Sequence, residues 1–204
     1  MKKYPAIAVV EFSSLADGIF TTDAILKKAP IAMIRGGTVS GGRYLVIFGG
    51  TTGSVSESLT EALTIGAGGV LDHAFLPDVH STVHDAIMGK RAAAGQNTIA
   101  ILETDTIAAN VRAAEVAVKG TEVQLVELRL AEYEMSGKAI SVYAGELHEV
   151  QAAMTIANDF LRGRQAFTHY RIIARPHEVI SQQLDHTTRY NDAKVHELEG
   201  EETS

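Results

Sequence analysis

The feature that most constrains how this chain can fold is an internal repeat. Glu11 and Glu103 each close a short apolar run, and they lie 92 residues apart. Near the end of each copy, His80 and His177 lie 97 residues apart. Intermediate landmarks match at offsets of 92 and 95, and these are Lys27 with Lys119, Gly42 with Gly137, Gly50 with Gly145, and Val55 with Val150. The repeat predicts two copies of one supersecondary unit that share a topology.

Each copy has the same predicted order of elements. The hydrophobic pattern predicts helices over 15–28 and 107–119. Predicted strands cover 6–10, 31–34, 44–48 and 69–75 in the first copy and 98–102, 123–128, 139–143 and 170–174 in the second. A second helix in each copy, near Val55 and Val150, carries apolar residues at i, i+3, i+4 and i+7 spacing. We expect these apolar positions to face a core.

Changes in composition predict the domain boundaries. Residues 88–97 are mostly small, polar or glycine, which is typical of a linker. After Val179 the chain is rich in Gln, His, Thr and Asn, and it ends in a glutamate-rich stretch. We expect a first domain at 5–90, a second at 97–180, and a polar, disordered tail at 186–204.

Composition also limits the functions that the chain can have. Its formal net charge is −7 and no cluster of Lys and Arg occurs, so we expect no nucleic-acid partner. The absence of cysteine excludes disulfides, thiolate metal sites and a cysteine nucleophile. Neither a signal-peptide core nor a run of about 18 apolar residues is present, which predicts a cytoplasmic protein without a membrane partner.

A glycine-rich stretch at 37–44 comes close to a phosphate-binding P-loop. The motif requires Lys followed by Ser or Thr, which contact the phosphates and magnesium. Arg43 and Tyr44 stand at those positions, so we expect a structural or pore-forming turn there.

The histidines give no motif for a metal or catalytic site. The pairs His148-Glu149 and His177-Glu178 lack the second histidine that a zinc site needs four residues further on. The histidines that could still meet in space are His73, His80, His84 and His169. We interpret them as surface or hydrogen-bonded residues, and we predict no catalytic residue, no metal and no cofactor.

The order of motifs resembles the bacterial microcompartment shell domain. The matching features include a Ser-Gly-Lys loop at 136–138, an Ala-Gly-Glu strand end at 144–146 and the run Ile-Ile-Ala-Arg-Pro-His at 172–177. Two copies in one chain resemble the tandem-domain, trimer-forming class of this family, over about residues 6–180. The resemblance implies an α+β fold with two tandem ferredoxin-like domains, each an antiparallel sheet with helices.

The resemblance also implies a structural function in a shell. Three tandem chains would close into a flat pseudohexamer, which would tile with other shell proteins into the wall of a bacterial microcompartment in the cytoplasm. Small metabolites would cross the wall through a central pore lined by Thr38, Val39, Ser40, Gly41, Gly42, Glu134, Met135, Ser136 and Gly137. Contacts at the tile edge would involve Lys27, Lys119 and Arg175.

Two departures from the family pattern change these expectations. Asp78 stands in the first copy where Arg175 stands in the second, so the six edges of the tile cannot be chemically equal. Some related tandem proteins bind an iron–sulfur cluster through a cysteine in the first pore loop, where this chain has Ser40. A hydroxyl does not replace a soft thiolate, and we therefore expect a metal-free pore that selects by size and hydrogen bonding.

Two other functions stay open on the sequence. One is a small-molecule-binding regulatory protein with two ferredoxin-like halves. The other is an enzyme with a histidine and carboxylate site that the order of residues does not reveal. If the protein is a shell tile, we expect trimers that grow into sheets. If it is a regulatory protein or an enzyme, we expect a closed oligomer with a tightly bound ligand or with turnover of a substrate.

Overall fold

A computed structural model of the chain describes residues 6–95, 97–132 and 135–196. The first half contains β1 (Ala6–Phe12), α1 (Leu15–Lys28), β2 (Met33–Val39), β3 (Arg43–Gly50), α2 (Thr52–Ile65), β4 (Val70–Leu76) and α3 (Ser81–Ile87). The second half contains β5 (Thr98–Thr104), α4 (Ile107–Gly120), β6 (Gln124–Leu130), β7 (Ala139–Gly145), α5 (Leu147–Gly163), β8 (Thr168–Ile173) and α6 (Glu178–His186). None of the described helices combines the length and apolar character needed to cross a membrane.

Each half is built on a four-stranded antiparallel sheet. The strand order is β2-β3-β1-β4 in the first sheet and β6-β7-β5-β8 in the second. The register also repeats, since Asp72 on β4 is the partner of Glu11 and His169 on β8 is the partner of Glu103. The predicted α+β class with two copies of one unit is confirmed.

Side-chain caps explain where the first helix of each half begins. Ser14 accepts a hydrogen bond from Asp17 N–H at 3.3 Å, and Thr106 accepts one from Ala109 N–H at 3.2 Å. Ser and Thr are favoured at this position because their hydroxyl oxygen satisfies an N–H group that has no partner within the helix. Helices α1 and α4 cover their predicted spans to within one residue.

Strand β2 is longer than the strand predicted at 31–34. It extends to Val39 because Gly36 and Gly37 continue the ladder, opposite Val46 and Leu45 of β3. Glycine has no side chain to show the alternation that marks a strand, so the sequence pattern did not include these residues.

The histidine landmarks of the repeat mark two short helices that the hydrophobic pattern does not predict. Helix α3 follows His80, and helix α6 follows His177. Each imidazole Nδ1 accepts a backbone hydrogen bond from two residues further on, at 3.4 Å from Thr82 N–H and at 3.3 Å from Val179 N–H. Helices of 7 and 9 residues are too short for hydrophobic periodicity to identify them.

The segment predicted as a disordered tail, 186–204, begins with residues that pack on the body of the protein. Thr187 is buried. Arg189 Nε donates a hydrogen bond to Glu132 Oε2 at 2.7 Å. The beginning of this segment is therefore held by specific contacts, while residues 197–204 lie outside the described residues.

The hydrophobic core is continuous across the two halves. One face of the first sheet, which includes Val10 and Phe48, packs with residues of α1 and α2. The opposite face, which includes Val9 and Leu76, belongs to the same buried cluster as Ala113 of α4. Helix α4 therefore packs on the sheet of the first half as well as on its own, and the two repeats share buried surface.

Candidate functional site

The two loops predicted to line a pore contact each other inside one chain. Ser40 lies in a short 3-10 turn after β2, and its Oγ donates to Ala131 O at 3.0 Å and accepts from Gly137 N–H at 2.8 Å. The backbone N–H of Ser40 donates to the same Ala131 carbonyl at 3.0 Å. Ser40 is 7% exposed. The hydroxyl that we expected to face a passing metabolite is therefore buried and bonded at the contact between the loops.

The other predicted pore residues divide by exposure. Thr38, Gly41, Gly42 and Ser136 are exposed, Val39 is half-buried, Met135 and Gly137 are buried, and Glu134 lies outside the described residues. Glycine suits three of these positions, since φ is +74° at Gly41, +70° at Gly42 and +85° at Gly137. A Cβ on Gly137 would also lie 2.7 Å from Arg43 Cζ. The exposed members are the ones that can meet a solute.

Arg43 shows why the glycine-rich stretch is not a phosphate cradle. Its Nη1 donates to Asp105 O at 2.8 Å and to Gly137 O at 3.1 Å, and it lies 3.4 Å from Glu11 Oε1. Two of these three acceptors belong to the second half of the chain. The guanidinium group therefore joins the halves.

Glu11 lies at the centre of this junction between the halves. Its side chain is fully buried, and Oε2 accepts from Ile107 N–H at 2.6 Å and from Ala108 N–H at 3.0 Å. These groups belong to the first turn of α4, where N–H groups lack helical partners and the helix dipole favours a negative charge. Burial raises the pKa of Glu11 to about 7, although the two backbone donors and Arg43 act in the opposite direction.

Further polar contacts join the first half to both ends of α4. Thr106 Oγ1 donates to Asp72 Oδ2 at 2.6 Å, and Arg164 pairs with Asp72 at 2.9 Å. At the other end of α4, the Glu115 carboxylate accepts from His80 N–H at 3.1 Å. Helix α4 is therefore oriented by residues of the first half along its whole length.

The predicted tile-edge residues lie at helix ends and in a loop. Lys27 ends α1, is largely exposed and pairs with Asp23 at 2.5 Å. Lys119 has the equivalent place on α4, but it donates to Asp78 O at 2.5 Å and so takes part in the junction. Arg175 is exposed after β8. Within the described residues, no hydrogen bond or ion pair joins these three predicted side chains to one another.

The histidines do not come together as a metal site. In the part of the chain that the structure describes, no three His, Asp or Glu side chains are placed to hold a metal ion. His80 is instead a helix cap, and His169 is exposed on β8.

Each residue of α4 has an equivalent on α1, 92 positions earlier in the repeat, and several of these equivalents are exposed although their α4 counterparts are buried. Val111 of α4 is 0% exposed, whereas its equivalent Ile19 is 58% exposed. Val118 is 6% exposed, whereas its equivalent Leu26 is 51% exposed. We call this face of the helix the α1 surface, and its members are Leu15, Ile19, Phe20 and Leu26.

The two sheets also differ in the exposure of equivalent residues. Val9, Leu45 and Leu76 of the first sheet are buried at the junction. By strand register, their equivalents are Ile101, Ile140 and Ile173, and all three are half-buried. We call these three residues the second-sheet surface. Ile101 and Ile140 are covered in part by Leu184 of α6. The chain therefore has two incompletely covered surfaces that correspond to the two sides of its own internal junction.

Comparison with known proteins decides the family. The family model of the BMC domain matches twice, at residues 6–79 and 98–176, which together make up most of the chain. The chain belongs to the bacterial microcompartment (BMC) shell protein family. This shell protein thus has the tandem BMC architecture that its repeat predicts, and its family is structural rather than catalytic.

Individual relatives agree with this assignment. The bacterial microcompartment shell protein PduT of Citrobacter freundii is 31% identical over 179 residues, which cover 88% of this chain and 97% of the relative. A crystal structure of a microcompartment protein from Desulfitobacterium hafniense superposes with a TM-score of 0.76 at 30% identity, over 87% of this chain and 98% of that one. A double-ringed trimeric shell protein of the RMM microcompartment has a TM-score of 0.56 at 14% identity, over 78% and 83% of the two chains, and supports the fold alone.

Sequence reasoning did not identify the residues that build the junction. Glu11 was recognised as a landmark of the repeat, but its function as a cap for α4 requires a contact across about ninety residues of sequence. The available signal was the position of Glu11 itself, since a carboxylate that becomes buried at the end of an apolar strand needs hydrogen-bond donors.

Proposed function

We propose that this shell protein forms a closed trimer that serves as a pseudohexameric tile in the wall of a bacterial microcompartment. The observation that carries the proposal is the correspondence between the internal junction and the two incompletely covered surfaces. A head-to-tail contact closes into a ring when the rotation between successive units allows it. Six similar units around one axis require three chains of two repeats each. The six units comprise three copies each of the domains that we place at 5–90 and 97–180.

The contact between the two predicted pore loops supports a central pore. Neighbouring loops around an axis touch their neighbours, as Ser40 touches Gly137 within the chain. In the tile, the exposed residues Thr38, Gly41, Gly42 and Ser136 line the opening, and Glu134 belongs to the same lining. Small polar side chains and exposed main-chain groups select small metabolites by size and hydrogen bonding.

The outer edge of the tile contacts other shell proteins. Lys27 and Arg175 are exposed on the side of the chain that would meet a neighbouring tile, and Lys27 pairs only with the exposed Asp23 among the described residues. Lys119 is partly committed to Asp78 O. The wall lies in the bacterial cytoplasm, around the enzymes that it encloses.

The two alternative functions, regulatory binding and catalysis, both require a bound small molecule. A cleft of about 340 Å³ lies between β2, α3 and β6, and its charged lining residues are Arg35 and Glu132. Glu132 already pairs with Arg189 and Arg129. The cleft therefore has few uncommitted polar groups for a ligand, and no observation favours either alternative.

Electron microscopy of the purified protein tests the proposal. We expect extended sheets or tubes whose averaged unit is a threefold tile with a central opening. Discrete particles that never associate edge to edge, together with a co-purifying small molecule, would support the alternatives and overturn the shell function.

A further inference from the structure

The cleft between β2, α3 and β6 lies inside one chain, beside a loop that we predict to line the pore. Its volume is about 340 Å³, and small-molecule sites usually have about 300 to 1,000 Å³. Thr38 and Val39 line the cleft, and both are predicted pore residues. The cleft is therefore placed to hold a solute close to the proposed opening.

The floor of the cleft is one face of the first sheet. Arg35 is the strand partner of Ile47, and Gly37 is the strand partner of Leu45. Side chains alternate between the two faces of a strand, and directly opposed residues share a face. All four residues line the cleft. The cleft therefore has an apolar floor that carries one cationic side chain.

The second sheet explains why this face of the first sheet is open. By strand register, Glu127 and Arg129 occupy the places of Arg35 and Gly37. The segment after α6 covers them, since Thr188 Oγ1 donates to Glu127 Oε2 at 2.8 Å and accepts from Arg129 Nη1 at 3.2 Å. On the first sheet, a Cβ added to Gly37 would have no neighbouring atom within 4 Å. A missing side chain thus leaves space where the second half has a filled contact.

Arg35 is the cation that the cleft offers to a ligand. It is exposed, and within the described residues it forms no hydrogen bond or ion pair. Glu132, the other charged lining residue, is already paired with Arg129 and Arg189. A guanidinium group binds a carboxylate or a phosphate through two parallel N–H···O bonds. In a chain of net charge −7, this uncommitted arginine favours an anion at one particular place.

The walls of the cleft suit an aliphatic group. Ala86 and Ile87 of α3 form one side, and Leu128 and Leu130 of β6 form the other. Strand β2 lies at the edge of its sheet, so some of its N–H groups are not used in the ladder and can add to the guanidinium donors. A molecule with one anionic end and one short aliphatic end matches both features.

We infer that the cleft binds a small organic anion, a carboxylate or a phosphate ester with a short aliphatic part, as it approaches the pore. This inference rests on the proposed function and names the class of metabolite that the tile admits. A single uncommitted charge gives weak binding, with a Kd on the order of 1 mM. Weak binding suits a solute in transit, which must also be released.

Ligand-observed NMR of the full chain tests the binding site. The probes are butyrate, butyl phosphate and the neutral analogue 1-butanol, and saturation transfer detects binding to a trimer or to a larger assembly. We expect both anions to bind at least about 10-fold more tightly than butanol, because hydrogen bonds to charged groups are the stronger ones. The tighter of the two anions identifies the anionic group that the site prefers.

Three variants locate the site. Arg35→Gln should weaken binding of both anions by about 10-fold or more. Gly37→Leu should abolish binding, because it fills the floor of the cleft. Arg162→Gln removes an exposed arginine outside the cleft and should bind the anions as the parent does. Far-UV circular dichroism checks the fold, and Arg35→Gln decides the matter alone if Gly37→Leu does not fold.

Two binding results would overturn the inference. One is butanol binding as tightly as butyrate, and the other is parent-like anion binding by Arg35→Gln. Entry of the probes into shells tests the transit function. Arg35→Gln should slow entry of butyrate relative to butanol, because fewer anions would be held near the pore. An unchanged ratio of the two rates overturns that function.

The failure of this inference can be distinguished from the failure of the proposed function. Binding is measured on the purified chain, whether or not tiles form. Sheets in electron microscopy without anion binding leave the shell function standing and overturn the site. A parent that forms no tiles overturns the proposed function and, with it, the assignment of the anion as a metabolite that the tile admits.

Discussion

At the scale of single residues, burial decides what a polar side chain does. Ser40 is a predicted pore residue and Glu11 is a landmark of the repeat, and both are buried with bonded side chains. A buried polar group costs free energy unless it is hydrogen-bonded. These residues therefore hold the two repeats together.

The titration of Glu11 should make stability depend on pH. The pKa of this carboxyl is about 7 when folded and 4.5 in the reference state, so unfolding releases a proton between these values. The stabilisation that comes from the protonated carboxyl is fully present below pH 4.5 and is lost as the pH rises through 7. The free energy of unfolding should therefore fall by on the order of 1 to 3 kcal/mol from pH 5 to pH 8. Glu11→Gln should flatten this dependence in chemical denaturation. If Glu11→Gln leaves the change of unfolding free energy with pH as it is in the parent, other groups cause that change.

The contact between the pore loops should contribute measurably to stability. Ser40→Ala leaves the buried Gly137 N–H without its acceptor, which should lower the free energy of unfolding by about 1 to 3 kcal/mol. Ser136→Ala, at an exposed position in the facing loop, should change it by less than about 0.5 kcal/mol. Urea denaturation of both variants measures the difference. Equal small effects would show that Ser40 does not join the loops.

At the scale of elements, the segment after α6 acts as part of the second half. Thr188 Oγ1 donates to Glu127 Oε2 at 2.8 Å, and Arg189 bonds to Glu132. Burial alone would raise the pKa of Glu132, but hydrogen bonds and charge interactions with Arg189 and Arg129 hold it below its ordinary value. The segment therefore stabilises charged groups on and after β6.

Truncation should locate where the chain stops contributing to stability. A chain that ends at His186 loses the bonds from Thr188 to Glu127 and from Arg189 to Glu132, although Glu127 keeps Arg91 and Glu132 keeps Arg129. It should lose about 1 to 3 kcal/mol of unfolding free energy, which is the usual contribution of hydrogen bonds to charged groups. A chain that ends at His196 keeps every contact described here and should melt like the parent. Thermal unfolding followed by circular dichroism compares the two. Identical melting temperatures for both truncations would contradict this account of the segment.

At the scale of the whole molecule, the proposed tile needs contacts between copies of the chain that close a ring. The outer edge must then carry contacts that the ring does not use. We propose Lys27 for such an edge, since its side chain is 74% exposed and its partner Asp23 is exposed as well. Lys119 has a second function within the junction, because it bonds to Asp78 O.

Charge reversal at the edge should separate tiling from folding. Lys27→Glu should leave the trimer mass unchanged and abolish sheets, because an exposed helix-end charge contributes only about 0.3 to 1 kcal/mol to stability. Lys119→Glu should abolish sheets and also lower stability, since it places a carboxylate against Glu115 and Asp78 O. Electron microscopy measures sheet formation, and analytical ultracentrifugation measures the mass of the trimer. Sheets that persist with Lys27→Glu would show that the edge assignment is wrong.

The sequence by itself determined the repeat, the α+β class and the positions of the longer helices and most strands. Periodicity and spacing are local properties, and a duplicated order of motifs is enough to indicate a shared fold. The same local signals did not extend β2 through Gly36 and Gly37, and they did not reveal the short helices α3 and α6.

Only the tertiary structure decided which of the predicted site residues are exposed. Ser40 is buried by Ala131 and Gly137, and Glu11 caps a helix that begins at Ile107, which are contacts across about ninety residues of sequence. Composition and spacing do not specify which surfaces meet when two similar units pack together. That choice depends on side-chain shape and hydrogen-bond geometry, and these are defined only once the chain has folded.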